Sequence, residues 1–173
     1  MPCRFARRKV TKLKKYTSLI IFIALTVFWI GFIWSNSADN GAESGEKSSA
    51  VVEAIEDTLG SVGLDVSVSE HFIRKAAHFT EYMLLALLLC ADAYILTSNL
   101  TGFGIKAKLV CVMCAPIDSM LVALVDEFVI QASTAGRGPA FTDVMIDTLG
   151  ALVGALGFAA AVLIMHLRRR HSD

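Results

Sequence analysis

Residues 17–34 read TSLIIFIALTVFWIGFIW, eighteen positions without a charge, and the stretch before them carries Arg4, Arg7, Arg8, Lys9, Lys12, Lys14 and Lys15. A bilayer core of ~30 Å is crossed by about 20 helical residues. The run therefore reads as a membrane span behind a basic leader, residues 1–16. A basic leader followed by an apolar run also marks a signal peptide, and Ser35-Asn36-Ser37-Ala38 offers small residues for cleavage. The run, however, contains Phe28, Trp29, Phe32 and Trp34 towards its end. Such aromatics suit an interfacial anchor, so a retained helix is expected.

Three further apolar segments follow, at about 72–97, 109–130 and 143–167, and Arg168, Arg169 and Arg170 close the last one. The chain as a whole is 55% hydrophobic and 18% charged. Soluble domains are nearer 45–50% and ~25%, so the expected fold is an all-α integral membrane protein of about four transmembrane helices. Its parts are the leader, a membrane domain over 17–167 and a basic tail over 168–173. Basic residues sit preferentially on the cytoplasmic side. The leader, the Lys106/Lys108 loop with its turn formers Ser98, Asn99, Gly102 and Gly104, and the Arg168–Arg170 tail all fall on one side if both termini are cytoplasmic. The loop 35–70 is then outside, with Asp39, Glu43, Glu46, Glu53, Glu56, Asp57, Asp65 and Glu70. Within it, Ser48 or Ser49 would cap a short amphipathic helix presenting Val51, Val52, Ile55 and Leu59, or the stretch is a linker; the composition favours neither. Net charge is zero, which gives no basic field for nucleic acid. Of the four cysteines, Cys90, Cys111 and Cys114 lie in apolar stretches and Cys3 in the leader, so no disulfide framework is expected; Cys111-x-x-Cys114 reads as space filling rather than a redox pair.

The ionisable residues inside the spans are the functional signal. Arg74, His78 and Glu81 are spaced by four and three and share one helical face, with Lys75 beside them. The third span ends in Asp126, Glu127 and, one turn on, Gln131. Arg137 lies between Gly136 and Gly138, and the fourth span opens with Asp143 and, one turn deeper, Asp147. All fall within a turn or two of the same expected membrane face. Charges inside a bilayer are tolerated when they pair or line a wet cavity. The set therefore reads as one outward-facing site: His78, Glu81 and Glu127 as acid/base candidates, and Arg74, Lys75, Asp126, Gln131, Arg137, Asp143 and Asp147 as ligand-binding candidates. Against this stand snorkelling for Arg74 and Lys75, capping for Thr142 or Asp143, and a structural Glu127–Arg137 ion pair. No metal set is assigned. His78, Glu81, Asp126, Glu127 and Asp143 offer donors, but with one histidine and no HExxH spacing. Ser133 and Thr134 lack a nucleophile elbow. Asp118, behind Pro116, is a proton- or ion-site candidate or a partner for a neighbouring helix; Asp92 is expected to reach the inner surface. Gly150 and Gly154 form a small-residue face read as intramolecular packing.

At these residues the chain resembles the VanZ-like membrane protein family. Residues 73–82, with Arg74, Lys75, His78, Glu81 and Tyr82, resemble an RKxxHxxEY motif; residues 125–131, continued to Gly136-Arg137, resemble DExxQ…GR; residues 142–154 resemble DxxxNxxGxxxG, and Trp34-Ser35 adds a weaker match. This chain has Asp147 where the family has asparagine, which adds an acid to the cluster. The resemblance implies a four-helix protein of the bacterial cytoplasmic membrane. It also implies a link to resistance against teicoplanin-type glycopeptides, which act outside the membrane on cell-wall precursors. It brings no reaction and names no cofactor. Three functions are expected to compete. The first is binding of a lipid-linked envelope precursor, or of the glycopeptide's route to it, through Arg74, Lys75 and Arg137. The second is a membrane enzyme using His78 with Glu81 or Glu127, and the third is transport coupled through Asp118. They are ranked in that order.

Overall fold

The charge-free runs become helices because, with no water in the bilayer, a spanning segment must satisfy its backbone internally. The computed structural model describes residues 2–64, 66–99 and 103–172, and of residues 2–15 and 172 the backbone alone. The described residues hold no strand. The helices are α1 (Pro2–Ser37), α2 (Gly41–Ser61), α3 (Glu70–Asn99), α4 (Ile105–Val112), α5 (Ala115–Val125) and α6 (Phe141–Ser172). Four spans are long and apolar enough to cross a membrane: Tyr16–Ser37, Glu70–Asn99, Ile105–Ser133 and Phe141–His171. The chain is a multi-pass membrane protein, and isoleucines, leucines, valines and phenylalanines stand exposed along the spans. Asp65 of the acidic segment and Gly102 of the turn after α3 lie outside the described residues.

α3 is the central helix, packed most extensively on α6 and also on α1, α2, α4 and α5. The α3–α6 crossing is backbone against backbone. A Cβ on Gly150 would meet the Phe79 carbonyl oxygen at 2.2 Å, and one on Gly154 the Met83 carbonyl at 2.4 Å. The small-residue face is thus consumed within the molecule, with Ala151 and Ala155 fully buried beside it. One apolar core, around Ile33, Tyr82, Leu85, Ala123 and Val144, joins α1, α3, α5 and α6; a second, around Cys90, Val112, Ala115 and Ala155, joins α3, α4, α5 and α6.

Several boundaries differ from those expected. The loop 35–70 contains α2, a helix of 21 residues. Its cap is Asn40, not Ser48 or Ser49: Glu43 N–H donates to Asn40 Oδ1 at 2.9 Å and the Asn40 N–H to Glu43 Oε2, a reciprocal capping box. Ser48 and Ser49 sit inside the helix and donate to carbonyls one turn back. Lys106 and Lys108 belong to α4 rather than a loop; Lys108 donates to Ser98 Oγ at 3.0 Å and lies over the Tyr94 ring. The third span is broken at Met113–Cys114, ahead of Pro116, which lacks an N–H and sits in the first turn of α5. Cys90 fills core as expected, whereas Cys114 is exposed; both are free thiols. Asp92 accepts from Thr26 Oγ1 at 2.7 Å and so ties α3 to α1.

The α3–α6 contact gives a direct test. Gly150→Ala puts a methyl where the Phe79 carbonyl already stands, and such overpacking costs about 1–3 kcal/mol or more. Gly157→Ala, on the same helix with nothing within 4 Å, is expected to leave stability unchanged or raise it by up to about 1 kcal/mol through helix propensity. Melting in detergent distinguishes the two, and equal melting temperatures would refute the crossing.

Candidate functional site

The polar residues expected to converge do so at the end of the bundle that carries α2. α1 brings Asn36 and Ser37 there, α2 brings Ser44, and α3 brings Arg74, Lys75, His78, Glu81 and Tyr82. After α5 the chain changes pitch. Asp126–Ile130 is a π-helical turn and Gln131–Ser133 a 3-10 turn. Successive residues of an α-helix point about 100° apart. Here the neighbours Asp126 and Glu127 are both fully buried, and the widened turn is what accommodates them. Gln131 Nε2 donates to both, at 3.2 Å to Asp126 Oδ2 and 2.8 Å to Glu127 Oε2.

Each carboxylate is held by a different element. Asp126 Oδ2 also accepts from Ser37 Oγ at 2.9 Å. Glu127 Oε1 accepts the Ala140 N–H at 2.7 Å, immediately before α6, where a helix N-terminus favours negative charge. Glu81 Oε1 accepts from Asn36 Nδ2 at 2.9 Å, and the Glu81 carbonyl accepts from Trp29 Nε1. Trp29 thus ties α1 to α3. Asp143, in the first turn of α6, is ion-paired with Lys75, so neither residue is merely a cap or a snorkelling anchor. Asp147 is fully buried, and neither of its oxygens has a hydrogen-bond partner. His78 lies beside it, with Nδ1 at 3.8 Å from Oδ1. The histidine therefore faces Asp147, with no hydrogen bond to Glu81 or Glu127.

Among the described residues Arg137 pairs with no carboxylate, so the alternative of a Glu127–Arg137 ion pair does not hold. Its guanidinium donates to the Ser37 carbonyl at 3.1 Å, to Gln131 Oε1 and to Ser44 Oγ, pinning the start of α2 and the end of α1 to the loop before α6. Gly136 makes this loop possible. Its φ is +77°, and its carbonyl lies where a Cβ on Gly41 would fall. Burial pushes the Arg137 pKa down, followed by repulsion from Arg74. Beneath α2 a cavity of about 180 Å³ is lined by Asn36, Lys47, Arg74, His78, Glu81 and Arg137 among others. Arg74 makes no hydrogen bond or ion pair among the described residues.

Other candidates lie elsewhere. Asp118 is exposed on α5, away from the cluster, with no partner among the described residues. Ser133 and Thr134 direct their hydroxyls to carbonyls of their own turn. The sequence reading missed Asn36, Ser37, Ser44 and Tyr82 as site residues. Asn36 and Ser37 stand in the stretch that also offers small residues for signal cleavage, and they donate to Glu81 and Asp126. Tyr82 is fully buried with its hydroxyl unpartnered; its place in the RKxxHxxEY motif was its signal.

Fold and site together define a multi-pass membrane protein that gathers polar side chains from every span, with acids and cations among them, at one end. The chain belongs to the VanZ/LLP1 family, whose model matches residues 22–164 and so includes every residue of the site. No curated protein and no solved structure matches it.

The role of Arg137 predicts an outcome for its closest substitute. Lysine is a point charge and cannot span three acceptors as the planar fork does. Arg137→Lys is expected to lose about 1–3 kcal/mol, nearly as much as Arg137→Ala, and to open α2 to protease. Limited proteolysis with melting in detergent checks this; a lysine variant that behaves as native removes the pinning role.

Proposed function

We propose that this protein binds the anionic headgroup of a lipid-linked envelope precursor at the outer face of the bacterial cytoplasmic membrane, and that any effect on teicoplanin-type glycopeptides acts through that binding. The observation that carries the reading is the cavity beneath α2, where Arg74 is unpaired and Arg137 and Lys47 stand beside it. Arginine recognises phosphate through paired, charge-assisted hydrogen bonds. The size is also informative. Drug-sized ligands occupy ~300–1,000 Å³, so about 180 Å³ admits a phosphate or a sugar fragment rather than a whole glycopeptide. A bundle end within the membrane interface leaves the lipid tail of such a ligand against the exposed apolar face of the spans. The sidedness rests on the basic leader, the α4 lysines and the Arg168–Arg170 tail, which the positive-inside rule places in the cytoplasm together with both termini.

A second reading is favoured by the approach of His78 to Asp147. An imidazole beside a buried carboxylate at the cavity floor is suited to acid/base chemistry on a bound headgroup. Under this reading Asp147 takes the orienting role first considered for Glu81 or Glu127.

Binding of a polyprenyl diphosphate to the purified chain in nanodiscs tests the first reading, with the unphosphorylated polyprenol as control. The diphosphate is expected to bind and the polyprenol not. Arg74→Ala is expected to weaken binding about tenfold, as loss of a charged hydrogen bond of ~1.5–3 kcal/mol implies. Equal affinity for both lipids would sink the proposal. His78→Ala separates the readings: an enzyme retains binding and loses conversion of the bound lipid. Teicoplanin susceptibility of a sensitive host expressing the native, His78→Ala, Glu127→Ala and Arg137→Ala chains then shows whether resistance follows binding.

A further inference from the structure

The acids below the cavity pose a separate problem from the cations around it. Asp126 and Asp147 are both fully buried, on different helices, with His78 between their elements. One donor atom from each of the three lies within 4.8 Å of the others. Four atoms of this trio, His78 Nδ1, Asp126 Oδ1 and both Asp147 oxygens, have no hydrogen-bond partner. A buried carboxylate with no donor is strongly unfavourable unless a positive charge meets it. None of the neighbouring cations does so. Lys75 is taken by Asp143, and Arg137 by Ser37, Gln131 and Ser44.

We propose that His78, Asp126 and Asp147 bind one divalent transition-metal cation of the Zn²⁺ or Mn²⁺ class. Ligands bound to one ion at ~2.0–2.2 Å lie within about 4.4 Å of each other, so side-chain shifts of under ~1 Å close the set. A neutral imidazole nitrogen with two carboxylates suits zinc, manganese or ferrous iron better than magnesium or calcium, which favour all-oxygen shells, and no thiolate takes part to favour copper(I). Three protein ligands leave coordination positions open, and His78 also lines the cavity, which supplies the way in. The outer partners are in place as well. Asp126 Oδ2 is fixed by Ser37 and Gln131, which turns Oδ1 free, in the way that ligating carboxylates are commonly held. The acids Glu81, Asp126, Glu127 and Asp147 outnumber the one unneutralised cation packed among them, Arg137, with Arg74 further out at the rim. From the sequence, Glu81, Glu127 and Asp143 stand with His78 and Asp126 as possible donors. The structure shows Glu81 and Glu127 hydrogen-bonded and Asp143 ion-paired, and brings in Asp147.

The test uses the full chain, tag removed and chelator-stripped in detergent, titrated with Zn²⁺ alone by calorimetry. It is independent of headgroup binding, since no lipid is added. One Zn²⁺ per chain is expected. Asp147→Asn and His78→Gln should each weaken it by at least about tenfold, while Glu46→Gln, an exposed acid on α2, leaves it unchanged. A native chain that takes up no Zn²⁺, or variants that bind as the native does, overturns the proposal and leaves a shared proton to neutralise the pair. Should either variant fail to fold, Co²⁺ bound to the native chain decides. Visible d–d bands of a nitrogen–carboxylate complex support the site, and the spectrum of aqueous Co²⁺ overturns it.

Discussion

The contact between the Phe79 carbonyl and Gly150 governs the position of everything at the α2 end. His78 precedes Phe79 by one residue, and Asp147 precedes Gly150 by three, close to one turn. Helices carrying ordinary side chains at their crossing lie 8–10 Å apart; glycine at the crossing removes that spacer. With backbone against backbone, His78 Nδ1 comes to 3.8 Å from Asp147. A side chain at Gly150 would separate the helices by roughly the reach of a methyl or more, and the two groups would no longer face each other. The next glycine, Gly154, repeats the contact one turn deeper and fixes the rotation of α6 as well as its distance.

A second constraint follows from solvation. Once α3 and α6 are this close, the carboxylates around them are cut off from water, and each needs a donor from somewhere. The solution distributes the donors over the whole topology: Ser37 and Asn36 from the end of α1, Gln131 from the turn after α5, Ala140 from the entry to α6. In this structure α1 supplies donors that the cluster acids use. Without it Asp126 would keep only Gln131, and Glu81 would lose its side-chain donor. Thr26, bonded to Asp92 three turns down, secures the same helix from the other half of the bundle. Interhelical hydrogen bonds in membranes contribute only about 0.6–2 kcal/mol each, so registration of α1 rests on several of them acting with the burial of Ile33.

The spans were legible because length and absence of charge are the quantities the bilayer itself selects. The cluster was legible for the same reason in reverse, since ionisable residues inside spans are expensive. What failed to show is what depends on rotation and pitch. The π turn has no periodic signature, so nothing in the order Asp126-Glu127 announces that both face inward. The pairing of His78 with Asp147 depends on a helix crossing, and spacing along α3 alone pointed to Glu81. Asn40 with Glu43 is an Asn-x-x-Glu capping box that was present in the sequence, but the serines further on drew the expected helix start away from it. Asp118 shows the limit most clearly. It was expected as a proton or ion site or as a partner for a neighbouring helix, and the rotation of α5 leaves it exposed instead.

The site that results leaves one charge of each sign without a partner. Around the cavity stand Arg74, Arg137 and Lys47, the last ion-paired with Asp39, with Glu81 at its wall; Asp126, Glu127 and Asp147 are fully buried. This is unusual in a bundle that could have mixed the charges into neutralising pairs, as it does with Lys75 and Asp143. Leaving Arg74 and Asp147 unpaired keeps both unsatisfied within the chain, and a charge unsatisfied by its own protein is one that a ligand can complete. An anion at the rim meets Arg74, which has no partner to give up, and a cation at the floor meets Asp147, which has no competing donor. His78 stands at both places, lining the cavity while its Nδ1 faces Asp147. Whatever binds at one therefore changes the field felt at the other, which ties headgroup and floor to a single side chain.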